Sequence, residues 1–270
     1  MLIDTHVHLD SYSDCEVNSI LLRAETVGVG FVISAGTTIE TSGRSIFLSG
    51  KYPNFFSGVG VHPMDLKGKL GDSDYSNLFD LAVSCEKVLV MSEIGLDFMD
   101  DMPDRQWQFD AFRRQIHIAK DLKLPIVFHS RNAHEECFRV LREEKAYEVG
   151  GVMHYFQGTQ YDAERIIDLG FYISVARPIF RLEHLREVIS KIPLEKIVLE
   201  TDAFPQPFKK NRNNWTEPRH LRPILEKVAE LHQREHDDVE EVILNNMKDL
   251  LNHRWHIVNK FVEEDQFTGA

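Results

Sequence analysis

Eight short apolar, β-branched segments recur along the chain, spaced to leave room for a helix between each pair, and this alternation restricts the fold more than any other feature. They are LIDTHVHL from Leu2, GVGFVISAG from Gly28, NFFSGVGVHP from Asn54, KVLVMSEIGLD from Lys87, LPIVFHS from Leu124, GGVMHYF from Gly150, FYISVA from Phe171 and KIVLETD from Lys196. Between them lie stretches with apolar residues three to four apart, such as PDRQWQFDAFRRQIHIAKDL from Pro103 and DAERIIDLG from Asp162. Gly170, which ends the second, stands where a helix C-terminus favours glycine. Strand and helix alternating eight times predict an α/β protein, a closed parallel (β/α)8 TIM barrel. An open doubly wound sheet is the competitor, but neither GxGxxG nor GxxxxGK[ST] occurs. Residues 1–262 are read as one barrel domain, and the tail 263–270 as a frayed end.

Length and composition narrow the function classes. A chain of 270 residues can bury a large core, and one domain of that size is ordinary for a barrel. No stretch approaches the roughly 20 apolar residues of a membrane span, and no basic segment precedes an apolar one near Met1. A cytoplasmic location is expected. The cysteines Cys15, Cys85 and Cys137 are widely spaced and suit reduced, non-catalytic thiols. A formal charge of −12, with 43 acidic against 31 basic residues, argues against a broad basic surface for wrapping duplex nucleic acid. Phosphate recognition, if present, is local or metal-borne.

In the opening MLIDTHVHLD, side chains two apart in a strand share a face, so Asp4, His6 and His8 point the same way. Alone, that pattern suits half a metal site or an exposed edge strand equally well. Barrel chemistry sits at the C-terminal ends of the strands. There, or next to where an apolar run stops, stand His6 and His8 (segment one), His62 (three), Glu93 (four), His129 (five), His154 (six) and Asp202 (eight). Chance placement of 13 histidines would not put five at strand ends. Individually, His62 could cap a loop and Glu93 could pair with Arg131. As a set, His6, His8, Glu93, His129, His154 and Asp202 suit Zn²⁺ or Mn²⁺, with Mg²⁺ less at home among so many nitrogens. Six ligands exceed the needs of one tetrahedral site. Two divalent cations sharing a carboxylate is the economical reading, with Glu93, central among the strands, as the bridge.

DTHVHLD, GVGVHP, SEIGLDF, HSRNAHEE, HYFQGT and LETDAF, six separated motifs in order from Leu2 to about Asn246, together resemble the TatD family of metal-dependent hydrolases within the amidohydrolase-like barrels. The resemblance implies a metal-dependent phosphodiesterase, typically a deoxyribonuclease working on DNA ends or single strands. It implies that His6, His8 and Asp202 hold one cation, His129 and His154 the other, and Glu93 both. It makes His62 and Arg131 candidates for contacting substrate phosphate. Glu93 and Asp202 are the expected catalytic carboxylates, Asp202 as the general base that takes the proton of the attacking water and passes it to the leaving oxygen.

The chain departs from the family pattern at several positions. Ser92 replaces the usual Gly before the bridging Glu, and Tyr155-Phe156-Gln157-Gly158 replaces the commoner Cys-Phe-Ser-Gly. Phe204 stands where the family usually carries Pro two residues after the Asp. The following loop holds Lys209, Lys210, Arg212 and Trp215, a cationic and aromatic segment in an acidic protein. It is expected to dock a nucleotide strand, with bases stacking on Trp215. A small amide, lactone or aminoacyl ester is the alternative substrate class, and metal binding without turnover the third reading. A serine or cysteine nucleophile is a poor rival. Ser130 lacks a Gly-rich elbow, and acids beside Cys137 would raise its pKa.

Overall fold

In the computed structural model, which describes residues 1–262, eight parallel strands form one sheet in the order β1 to β8. They are β1 (Leu2–Val7), β2 (Val29–Ser34), β3 (Phe55–Val59), β4 (Val88–Asp97), β5 (Ile126–Arg131), β6 (Gly151–Met153), β7 (Tyr172–Val175) and β8 (Ile197–Leu199). The helices are α1 (Asp14–Glu25), α2 (Ile39–Lys51), α3 (Asp72–Ser84), α4 (Arg105–Leu122), α5 (His134–Glu143), α6 (Gln160–Asp168), α7 (Glu183–Ile189), α8 (Leu221–His232), α9 (His236–Leu251) and α10 (Trp255–Val262). The architecture is a (β/α)8 barrel. The tail 263–270 lies outside the described residues. Among the described residues no helix is long and apolar enough to cross a membrane.

Local signals start the helices. Ser13 and Glu16 form a capping box at α1, and Thr159 and Asp162 form one at α6. Asp104 accepts from the amides of Gln106 and Trp107 to open α4, which buries Ala111, Phe112, Ile116 and Ala119 at helical spacing. Ile3, Phe31, Phe56, Val127, Val152 and Val198, each early in its strand, pack with Met247 and Leu251 of α9 and Ile257 and Val258 of α10. That apolar plug fills the amino end of the barrel, leaving the carboxyl end for polar groups.

The seam between β8 and β1 sets part of the site. The Asp202 amide donates to the His6 carbonyl at 3.1 Å and the His8 amide to the Ala203 carbonyl at 2.7 Å. Asp4, fully buried, accepts from the Thr201 amide (2.9 Å) and hydroxyl (2.5 Å). Asp4 therefore pins the seam that lays Asp202 beside His6 and His8.

β4 does not stop at Glu93. The strand pairing shifts register between Met91 and Ile94, then continues to pair Leu96 with Ser130 and Asp97 with Arg131. An irregularity of this kind re-aims the side chain it contains. Two glycines make room for it. A Cβ on Gly95, at φ +142°, would lie 2.0 Å from the His129 carbonyl oxygen, and one on Gly60 would lie 2.8 Å from the Ser92 carbonyl carbon and 3.0 Å from the Glu93 nitrogen. Gly60→Ala must therefore move backbone, at about 1–3 kcal/mol for such overpacking. Its expected result is a lowered melting temperature together with reduced cation content by elemental analysis. Full cation content would show that Gly60 does not position Glu93.

Candidate metal centre

The structure brings His6, His8, Glu93, His129, His154 and Asp202 together at one mouth, with His62 among them. Glu93 is the hub, 3% exposed. Its Oε2 lies 3.3 Å from His6 Nε2 and 3.5 Å from His8 Nε2. Its Oε1 lies 3.2 Å from His129 Nδ1, 3.4 Å from His154 Nε2 and 3.3 Å from His62 Nε2. The two oxygens thus face different sets of imidazoles. Asp202 Oδ1 lies 3.4 Å from His8 Nε2, and the two imidazole nitrogens of His6 and His8 approach to 3.1 Å. Donor atoms of His6, His154 and Asp202 also fall within 4.8 Å of one another.

Second partners decide what each ring offers. Asp97 Oδ2 sits 3.0 Å from His129 Nε2, and Glu200 Oε1 sits 2.9 Å from His154 Nδ1. Asp97 holds a proton on the far nitrogen of His129 and leaves the near one as a lone pair aimed into the centre, while Glu200 stands as a charge partner beside the far nitrogen of His154. His62 differs. Its Nδ1 accepts from the Met64 amide at 3.1 Å, so in the neutral ring Nε2 carries the proton and donates toward Glu93. Geometry alone would admit His62 as a ligand, but its tautomer makes it a hydrogen-bond donor. It also caps the turn Pro63–Asp65, so the loop-capping role and the site role coexist.

Asp97 and Glu200 were not singled out from the sequence. Asp97 lies in the quoted SEIGLDF and Glu200 in LETD, so the signal was a second acid near a strand end already carrying one. Asp4 shares a strand face with His6 yet bonds Thr201 outside the cluster. Arg131 does not pair with Glu93: it pairs with Asp97 at 2.7 Å, beyond Glu93 on the same strand, and lines the mouth. Trp215, expected to stack a base, is half-buried. Its ring packs against the core with the guanidinium of Arg212, from the same loop, 4.4 Å over it and Tyr12 beside it. Lys210 is exposed, whereas Lys209 turns in to Gln206 Oε1 (2.5 Å) and the Asn214 carbonyl (3.1 Å).

Ser130 Oγ lies 2.7 Å from His134 Nδ1, but no carboxylate is bonded to His134 among the described residues. Burial, more than the adjacent Glu136, pushes the Cys137 thiol up to about 12, which removes it as a nucleophile.

The donor set fits divalent cations. Burial opposes charge on Glu93, yet the surrounding imidazoles of His62, His154 and His6 hold its carboxyl well below the usual range. Asp202 is likewise held at about 2, against its burial, by His8 and His154. In return, Asp202 and Glu93 outweigh burial to raise His8 to about 9, and Glu200 and Glu93 raise His154 to about 10. Stripped by a chelator, the protein therefore carries protons on both rings at pH 7, and a cation must displace them. Cation affinity is expected to climb as pH rises through 9 and on to 10, where first His8 and then His154 loses its proton unaided. Calorimetric titration at pH 7 in buffers of different ionisation heat should read net proton release. Binding with no release would contradict it.

The family model described as TatD related DNase matches residues 3–252. The uncharacterized metal-dependent hydrolase YabD of Bacillus subtilis is 31% identical over 256 residues, covering 93% of this chain and 98% of that protein. The 3′-5′ ssDNA/RNA exonuclease TatD of Salmonella typhimurium is 33% identical over 221 residues, covering 78% and 84%. Among solved structures, YjjV, a TatD homologue from Escherichia coli, superposes with a TM-score of 0.84 at 32% identity, covering 93% and 98%.

Proposed function

The chain belongs to the TatD family of metal-dependent hydrolases, and we propose that within it this protein hydrolyses nucleic-acid phosphodiesters, DNA ends or single strands first, using two divalent cations. The observation that carries the reading is the hub: one buried carboxylate whose two oxygens face two different groups of imidazoles. His6, His8 and Asp202 would hold one cation and His129 and His154 the other, with Glu93 common to both. When bound, such a pair supplies Lewis acidity to a phosphoryl oxygen and acidifies water. The 3′-5′ ssDNA/RNA exonuclease named among the relatives supports a phosphodiester substrate.

The chain's own residues do the rest. Asp202, ionised at any working pH, is a weak base always free to take a proton from an acidified water and return it to the leaving oxygen. His62 presents an Nε2–H donor to the same mouth, suited to a nonbridging phosphoryl oxygen. Arg131, braced by Asp97, presents a guanidinium whose fork matches phosphate. Asp97 keeps His129 in its lone-pair-inward tautomer, and Glu200 places a negative charge beside His154.

The test is turnover of an end-labelled single-stranded oligonucleotide by metal-free protein given Mg²⁺, Mn²⁺ or Zn²⁺, beside lactones, amides and aminoacyl esters. Cation-dependent cleavage of the oligonucleotide alone supports the nuclease. Turnover of a small ester or amide without the oligonucleotide would favour the alternative amidohydrolase-type chemistry, and no turnover with full cation loading a binding protein.

A further inference from the structure

A second cleft of about 440 Å³ lies beside the metal centre and shares Asp202 and Phe204 with it. Arg177 and Arg181, from the turn after β7, line it together with Lys209 from the loop after β8. Neither arginine's side chain makes a hydrogen bond or ion pair among the described residues, although the chain has 43 acidic side chains to offer. Lys209 donates only to neutral oxygens, those of Gln206 and Asn214. Its ammonium is held below the usual lysine range by burial and then by the charges of Arg177 and Arg181. Three cations without a carboxylate partner repel one another, and an anion in the cleft relieves that repulsion. Two guanidiniums favour phosphate, which they can grip by planar forks.

Four rings, Tyr155, Phe180, Phe204 and Phe208, line the cleft beside Thr201, Asp202, Gln206 and Thr216. Phe208 is 72% exposed, and Tyr155 and Phe204 stand at two of the positions where the chain departs from the family pattern. Exposed rings beside phosphate-binding cations suit a nucleobase, because stacking accepts any base. The volume lies within the range of small-ligand pockets, about 300–1,000 Å³, and admits one nucleotide unit. Since the cleft meets the metal centre at Asp202 and Phe204, a strand whose phosphodiester lies at the centre can pass its adjoining unit into the cleft.

We propose that this cleft is the subsite for the nucleotide adjoining the scissile bond, with Arg177, Arg181 and Lys209 on its neighbouring phosphate and Phe204, Phe208 and Tyr155 on its base. The assignment rests on the nuclease reading, and it makes the enzyme select substrates that carry a second phosphate over a lone phosphodiester.

The test compares deoxyadenosine 3′,5′-bisphosphate with deoxyadenosine 5′-monophosphate by calorimetric titration of the full Mn²⁺-loaded chain. The bisphosphate should bind about 10–100-fold tighter, the worth of one or two charge-assisted hydrogen bonds. Combined Arg177→Gln and Arg181→Gln should erase that preference, raise KM for oligonucleotides by a similar factor, and leave bis(p-nitrophenyl) phosphate hydrolysis unchanged. Phe208→Ala, at an exposed position, should weaken both nucleotides and spare inorganic phosphate. Equal binding of the two probes by the unmodified protein, or an undiminished preference in the double variant, overturns the proposal. Arg-dependent preference without oligonucleotide cleavage keeps the subsite and removes the nuclease reading. Cleavage without the preference does the reverse.

Discussion

Glu93→Gln is expected to lose at least one of two cations per chain and to bring turnover to background. The side chain keeps its shape and one acceptor oxygen, so any loss reports charge and not packing. Five imidazole nitrogens lie within 3.5 Å of its two oxygens. Two divalent cations sharing that space repel strongly, and an amide, with one acceptor oxygen and a donor NH₂ pointed at the other cation, cannot offset this. Stability should respond less than metal content. Removing one partner of a buried ion pair costs about 3–5 kcal/mol when the other stays charged, but His8 and His154 can shed their protons instead. The metal-free variant should therefore melt only a few degrees below the metal-free parent, while the metal-loaded parent gains stability that the variant does not. Elemental analysis and melting curves with and without Mn²⁺ check both halves. Two retained ions with near-normal turnover would end the bridging assignment.

The barrel is legible in the sequence because the strands are buried along most of their length and read as mainly apolar runs: all ten residues of β4 are buried, Glu93 and Asp97 included. A charged or imidazole side chain at the end of such a run stands out, which is why His6, His8, Glu93, His129, His154 and Asp202 could be picked without a structure and why they converge here. Their partners stand out less. Asp97 and Glu200 carry the same chemistry as Glu93 and Asp202, and only the continuation of β4 past Glu93 and the turn at Tyr155 assign them to His129 and His154. Trp215 shows the opposite limit. Composition marks it as a stacking residue, while the fold brings Arg212 and Tyr12 onto it. The side cleft is least legible, because Arg177, Tyr155 and Lys209 come from three loops that meet only when the barrel closes.

Asp202→Asn is expected to lower turnover by roughly 10²–10⁴, the usual worth of a positioned acid–base group, while cation content falls only modestly. The backbone should tolerate the change, since Asp202 has φ +51° and Asn is among the residues that accept the left-handed region. The seam bond from its amide to the His6 carbonyl is kept. The side chain retains an oxygen toward His8 Nε2 but loses the basicity through which it takes a proton. The pH profile separates this from a metal-binding defect. A carboxyl held at about 2 stays ionised across the working range, so it sets no acid limb of its own above about pH 3. An acid limb nearer neutrality comes from protons that cations must displace at His8 and His154. At saturating Mn²⁺ that limb should shift toward lower pH in the parent, and in the variant it should lie lower still, because His8 loses the Asp202 charge that raises it, while the plateau stays reduced. If Asp202→Asn keeps full turnover, the proton acceptor lies elsewhere. His62 could take that place only by giving up its bond to the Met64 amide, so Met64→Pro, which removes the amide hydrogen, would then raise the rate instead of leaving it unchanged.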